Sequence, residues 1–589
     1  MGYLKSILYS FMPLVRFFFI GIWLSSLSMT DSYFSVYVLI AFLSFYLLLT
    51  GKSSFELDLK HRFGVFVLSS FFSMAVLLAN YPLVTTLGDP ALIGRGTSIL
   101  MNLINAVLIF SGGIAVFFPI LKVFLYSFSP RVSNSSYQTW FSPVFLFLSI
   151  VSFHLIHLFF VEFPGNMTED TFTQISEMIS GKYSNFNTFW HTVIFRTVLS
   201  AGYALFQDAN ASVALFCVLQ AVFLALAFTY CLTTMDAFGV PRWILVVSWL
   251  GYLFLPYHLA LSITIWKDVL FAGSTLLMIS SWIRIFKGIG SRQLGNYLVF
   301  VLSSLLYFLS RTNGWLIYLV TFFLVAIPLR KHLRLLSTMF GLAVLGWFLL
   351  NPALSMLNVD AGDRAESLSI PIQQVSRVIA DGCALSQEDA ELLSRVVDLD
   401  EVPDLYVSWL SDPMKVELRS KDYGFFLQHF DAYRDLWIRL GIRYPWEYVK
   451  AWVDQTKGYW NAGYDYALYS ETITDNPYGI EKSGGISPVS SLFRIYFGLS
   501  RHLIFFEPLH SIGLHIWIMI VCFLRNIVHK RKNWVVFVPL LLLTVGLWCG
   551  TPVYACFRYV YPVFVSLPLL VSISFYSWDG EEKSKNMQQ

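Results

Sequence analysis

Glu169 and Asp170 stand side by side in the polar stretch VEFPGNMTEDTFTQISEMISGKYSNFNTFWH, residues 161–191, directly after an apolar run. Where a membrane helix meets water, desolvating a carboxylate costs several kcal/mol. A pair at that level reads either as a solvated loop or as a candidate general base, and the residues alone leave both open. Other polar groups end apolar runs elsewhere: Trp266-Lys267-Asp268 in ITIWKDVLF, Arg311 in LSRTNGW and Arg558-Tyr559 in ACFRYVYPVF. Singly, each suits interfacial anchoring. Gathered at one membrane level, the acids and three cations suit a reaction that deprotonates a hydroxyl and stabilises a leaving phosphate, with Lys or Arg on the phosphate oxygens.

The elements that must position these groups follow from composition. The chain has 589 residues, 56% of them hydrophobic, 17% aromatic and only 13% charged, against about a quarter charged in soluble proteins. It reads as an all-α polytopic membrane protein. A net charge of +3, spread over short loops, gives no basic patch for nucleic acid. Six cysteines without metal spacing or a disulfide framework leave the redox compartment undefined.

Apolar runs near 8–28, 33–50, 63–80, 99–121 and 139–161 match the length that crosses about 30 Å of hydrocarbon. Lys5, then Lys52, Lys60 and Arg62, then Lys122 and Arg131 occupy alternate connections, which places the N-terminus in the cytoplasm and the acidic loop outside. Residues 189–207 carry His191 and Arg196 within an apolar run and read as an amphipathic helix on the outer surface. Further spans then fall near 211–234, 242–258, 269–286, 294–310, 313–328, 333–353, 509–528, 534–550 and 557–577, with Arg242, Lys287, Arg330, Lys331, Arg334 and the run Arg525–Lys532 inside. The total is about 14 spans.

The organisation expected is a four-helix region at 1–130 and a transmembrane core at 131–353 with the outer acidic loop 162–190. An extracytoplasmic α-rich domain at 354–500 and C-terminal helices with a cytoplasmic tail at 501–589 follow. Within the outer domain, Ser386 followed by Glu388 and Asp389 predicts a capped helix. An aromatic run there includes Trp437, Tyr444, Trp446, Tyr448, Trp452, Tyr459, Trp460, Tyr464, Tyr466 and Tyr469. Such rings suit stacking on sugars, an interface belt or a small core, and their spacing does not choose.

An apolar helix emptying into F-P-G-x-x-x-x-D, here Phe163-Pro164-Gly165 and Asp170, then Gly181, Tyr183 and His191, then W-K-D at 266–268, resembles bacterial integral-membrane glycosyltransferases of the GT-C fold. Together with P-I-Q-Q-V-S-R at 371–377, K-G-Y-W at 457–460 and F-R-Y-V-Y-P at 557–562, these pieces are similar to an uncharacterised GT-C-like family of Gram-positive bacteria, over roughly 140–570. The His-Pro usual after Gly-x-Tyr is missing, since Phe189-Trp190-His191 carries no proline.

That resemblance implies transfer of a sugar from a polyprenyl-phosphate donor to a glycan, lipid or protein acceptor on the outer face of the cytoplasmic membrane. It implies Asp170 as base, Glu169 as its substitute, Asp268 as a second acid, and Lys267, Arg558 and Arg311 on the donor phosphate. His191, Trp266, Tyr559 and Trp460 would line the substrate pocket. Nothing visible requires a metal, although Glu169, Asp170 and Asp268 offer oxygen ligands for Mg²⁺ or Mn²⁺. Rival readings are a transporter or flippase of lipid-linked glycan, for which Arg16 and Arg196 are the best intramembrane charges, a polysaccharide polymerase or ligase, and a scaffold without activity.

Overall fold

The computed structural model describes residues 16–25, 27, 34–82, 95–127, 131–132, 141–289, 293–464, 473, 475–483, 487–502 and 506–577. Lys5, the tail EEKSKNMQQ, Tyr466 and Tyr469 lie outside them. The regular structure of the described chain is α-helical apart from the 3₁₀ helix Lys532–Phe537, one two-residue parallel pair, Arg131–Val132 with Tyr576–Ser577, and three isolated bridges.

Nine described helices are long and apolar enough to cross a membrane, and a tenth arises if the pair Arg242–Phe254 and Pro256–Ser262, bent by 50°, is one span. Shorter apolar helices cover Arg16–Ser25, Phe34–Leu49, Gly314–Ala326 and Ile512–Val528. The side-chain pattern is that of lipid-facing helices. Pro143–Phe160 exposes Val144, Phe145, Leu148, Ile156 and Phe159 while burying His154 and His157. In a bilayer the apolar face turns outward and polar groups seek protein partners inside. His154 accordingly lies 3.1 Å from the Tyr252 carbonyl. The chain is an all-α polytopic membrane protein.

Two helices, Lys267–Lys287 and Phe557–Phe575, are the most enclosed of the nine candidate spans. They pack on each other at the centre of the largest apolar cluster. Phe189–Phe206 is not among the candidate spans. It lies against Ala209–Ala237 with Phe189, His191, Thr192, Phe195 and Gly202 buried.

Part of the region read as an outer domain has its own core. Ala365, Val378, Leu393, Val396, Met414, Leu418, Leu436, Leu440 and Tyr448 form a separate cluster, so the core spans 365–448 and not all of 354–500. From Ala451 onward the helix Pro445–Trp460 turns its residues into the transmembrane packing, where Val453, Tyr459 and Trp460 join the main cluster. The capped helix is Gln387–Leu393, with the Ser386 side chain accepting from the Asp389 N–H at 3.1 Å. The aromatic run is used internally: Trp437 donates to Gln374 (2.8 Å), Tyr448 to the Trp437 carbonyl (2.7 Å) and Trp452 to the Trp548 carbonyl (2.7 Å).

Candidate active site

The acidic loop is fixed from its first residues. Gly165 has φ +124°, and a Cβ there would lie 2.4 Å from Cys217 Sγ and 2.9 Å from the Ile263 carbonyl, so only glycine fits. This close approach lets Asn166 pair with the segment before Trp266: its N–H donates to Ile263 (2.8 Å) and its carbonyl accepts from Ile265 (3.0 Å). Two hydroxyls complete the joint. Trp266 Nε1 donates to Thr168 (2.8 Å), and Thr171 donates to the Ile265 carbonyl (3.0 Å). Residues about 100 positions apart are thereby held in register, and the helices Glu169–Ser180 and Lys267–Lys287 start side by side.

Asp170, in the first turn of its helix, is ion-paired with Arg558, whose Nη1 lies 2.5 Å from Oδ2. Arg558, in the first turn of Phe557–Phe575, lies over the Trp266 ring at 5.0 Å and donates to the Tyr559 hydroxyl at 3.0 Å. Arg311 follows the helix Gln293–Ser310 and reaches Asp268 Oδ1 at 3.4 Å. Its guanidinium also lies 5.6 Å from the Tyr559 ring centre. Lys267 Nζ donates to the Phe186 carbonyl at 2.8 Å and approaches Asn187 Oδ1 at 3.5 Å. Asp170, Trp266, Lys267, Asp268, Arg311, Arg558 and Tyr559 are therefore brought together from four separate parts of the chain.

The electrostatics favour an anion. Lys267, Arg311 and Arg558 outnumber Asp170 and Asp268 by one charge, and the first turns of three helices meet here, where partial positive charge collects. Neither Trp266 nor Cys556, the residues preceding two of those helices, supplies a side-chain cap. Asp268 is 3% exposed, and its Oδ2 has no hydrogen-bond partner, so one buried carboxylate oxygen is unsatisfied within the protein. Burial raises the Asp170 carboxyl, but Arg558 and then Lys267 outweigh it, and its pKa lies below the usual carboxylate value.

His191 sits one layer behind. Gln174 Nε2 lies 2.9 Å from its Nδ1 and 2.9 Å from the Thr192 hydroxyl, while Nε2 of the imidazole is buried without a partner. Burial lowers its pKa to about 3, so the ring is neutral at ordinary pH.

Two of the residues expected in the site stand apart from it. Glu169 is exposed, turned away from its neighbour by the helical step. Trp460 is stacked on Trp452 at 5.5 Å within the main core, with its Nε1 donating to Thr456. Among the described residues no group of three His, Cys, Asp or Glu side chains is arranged to hold a metal ion. Arg196, a candidate for an intramembrane charge, is exposed and donates to the Tyr183 hydroxyl at 2.5 Å. Arg377 of P-I-Q-Q-V-S-R joins a different network with Asp454 (2.7 Å), Asp381 (3.3 Å) and Glu447 (3.5 Å), which ties the 365–448 core to the helix Pro445–Trp460.

Sequence reasoning missed Thr168, Thr171, Gln174 and Asn187, the groups that align the charged residues. They are single short polar side chains without a repeating pattern, and only the pairing of 166 with 264 makes sense of them.

The fold and the charge cluster define a polytopic membrane protein with three cations and two carboxylates gathered at the ends of its central helices. Residues 179–588 match the model of the Family of unknown function (DUF6020), and the chain belongs to that family. The match takes in Lys267, Asp268, Arg311 and Arg558 and begins nine residues after Asp170. No curated protein and no solved structure matches the chain.

Proposed function

We propose that this protein is a GT-C-type glycosyltransferase that moves a sugar from a polyprenyl-phosphate donor to a cell-envelope acceptor on the outer face of the cytoplasmic membrane. The observation that carries the reading is the meeting of Asp170, Lys267, Asp268, Arg311 and Arg558 where three helices begin. All four shorter apolar helices and the bent pair count as crossings in this reading, for fourteen spans. The basic connections lie inside, and the 365–448 core lies outside.

In the proposed reaction the donor phosphate lies among Lys267, Arg311 and Arg558. Its oxygens compete for Arg558 and loosen the pair with Asp170, whose carboxylate becomes a stronger base. Asp170 takes the proton of the acceptor hydroxyl, the acceptor oxygen bonds to the anomeric carbon, and the bond from that carbon to the phosphate oxygen breaks. The electron pair leaves on polyprenyl phosphate, balanced by the three cations, and the anomeric configuration inverts. The bend at Pro256 delivers residues 263–268 to this pocket, which gives the broken helix a part in the enzyme reading that a transporter would assign to a midplane site.

The test is Asp170→Asn in a strain that depends on this chain alone. Envelope glycans read by mass spectrometry should lose the same sugar as in the strain without the protein, while the variant accumulates normally in the membrane. An unchanged glycan profile would remove Asp170 as the base, and a profile unchanged even in the strain without the protein would remove the reading.

A further inference from the structure

A cavity of about 860 Å³ lies beside the charge cluster, between the acidic loop and the start of the 365–448 core. Its floor is a short zipper: the Asn185 N–H donates to Asp360 (2.8 Å), and the Asp360 N–H donates to Tyr183 (3.0 Å). Gly362 takes φ +90°, a left-handed conformation that favours glycine, where the segment after Asp360 turns beside Phe186. One wall is a fixed polar lattice in which Arg419 pairs with Asp363 and Glu366 (2.5 Å each) and the Tyr423 hydroxyl donates to Asp363.

The opposite wall is the threshold of the charged pocket. Phe186 is 42% exposed and lines the cleft, with Lys267 Nζ 5.6 Å from its ring centre and donating to its carbonyl. The next residue, Asn187, donates to the Asp170 carbonyl at 3.3 Å. Phe186 and Asn187 therefore link the cleft to the phosphate lysine and to the backbone of the proposed base.

We infer that this cleft is the acceptor site and that it takes a hydroxyl-rich glycan chain, an inference that rests on the transferase reading above. The cleft joins carboxylates and a guanidinium held in place by mutual pairing to two aromatic faces, Phe186 and Tyr423, which is the combination that pairs with vicinal hydroxyls and covers the carbon face of a sugar ring. Apart from those rings Leu427 is the one large apolar side chain lining the cleft, and the rest of its carbon surface belongs to side chains that carry polar ends, which suits a sugar better than a lipid tail.

The test places a reporter cysteine at Leu427, which is 38% exposed at the cleft, in a full-length chain with Cys383→Ser and Cys549→Ser, reconstituted in nanodiscs. The probe is the envelope glycan released from cells lacking the protein, whose acceptor positions are unfilled. It should protect Leu427→Cys from a maleimide, with Phe186→Ala and Tyr423→Phe each raising the half-protecting concentration roughly tenfold and periodate treatment of the glycan abolishing protection. Phe186→Ala keeps the carbonyl that Lys267 needs. No protection, protection indifferent to both variants, or protection that survives periodate but is lost to protease would overturn the inference, the last by pointing to a peptide. The two proposals fail separately: envelope glycans unchanged when the protein is deleted would sink the transferase reading whatever protects Leu427→Cys, whereas transfer lost in Asp170→Asn without protection would sink the cleft alone.

Discussion

Arg558→Met removes the charge facing Asp170 while keeping much of the side-chain volume. With charge centres about 4 Å apart and an effective dielectric of about 20, the pair attracts by about 4 kcal/mol. The two side chains are 18% and 27% exposed, so solvent screening leaves about 2 kcal/mol. A double-mutant cycle with Asp170→Asn, read by thermal unfolding of the full chain in nanodiscs, should return that coupling. The pH dependence gives an independent reading. Because Arg558 and Lys267 hold the Asp170 carboxyl below its ordinary pKa, the pair's contribution is complete above the ordinary value and is lost as pH falls through the depressed one. In Arg558→Met burial meets less opposition, the carboxyl rises, and the acid limb of unfolding moves to higher pH. Sugar transfer should fall roughly 10²–10³-fold. A coupling below about 0.5 kcal/mol with an unmoved acid limb would refute the claim that these two residues share one electrostatic site.

Three further outcomes follow from the geometry. Gly165→Ala should lower stability by about 3 kcal/mol or more, from the clash with Cys217 and the positive φ, and should detach the acidic loop, seen as new protease cleavage near 165–187. Gln174→Leu leaves His191 Nδ1 and Thr192 without their shared partner and should cost about 1–3 kcal/mol in thermal unfolding. Because His191 is held neutral with a pKa of about 3, its own contribution to stability should be full above the unfolded pKa of about 6.5 and fade as pH drops below it. For topology, Ser184→Cys should react with an impermeant maleimide in intact cells and Ser291→Cys should not; the reverse pattern would invert the chain in the membrane.

Much of the site was legible as residue types. Asp170, Lys267, Asp268, Arg311 and Arg558 stand out because ionisable groups at the ends of apolar runs are costly, and cost marks them whatever the fold. Glu169 was not separable from Asp170 in the same way. Adjacent residues on a helix point about 100° apart, so only the docking of Glu169–Ser180 shows which acid faces Arg558. Trp460 and the other rings of 437–464 carry no periodic signal, and apart from the exposed Trp446 the structure commits them to the 365–448 core and its junction with the membrane helices.

The sequence by itself determined that the chain is helical and apolar enough to be a membrane protein, and which charges lie near the ends of its apolar runs, because hydrocarbon length and the cost of burying charge act locally along the chain. Which charges meet was decided by tertiary structure alone. Gly165 admits Cys217 and Ile263, the pairing of 166 with 264 sets the register, and the enclosed helices Lys267–Lys287 and Phe557–Phe575 bring Arg558 to a carboxylate 388 positions away. Those contacts depend on shape complementarity between distant segments, a property no local stretch of sequence carries.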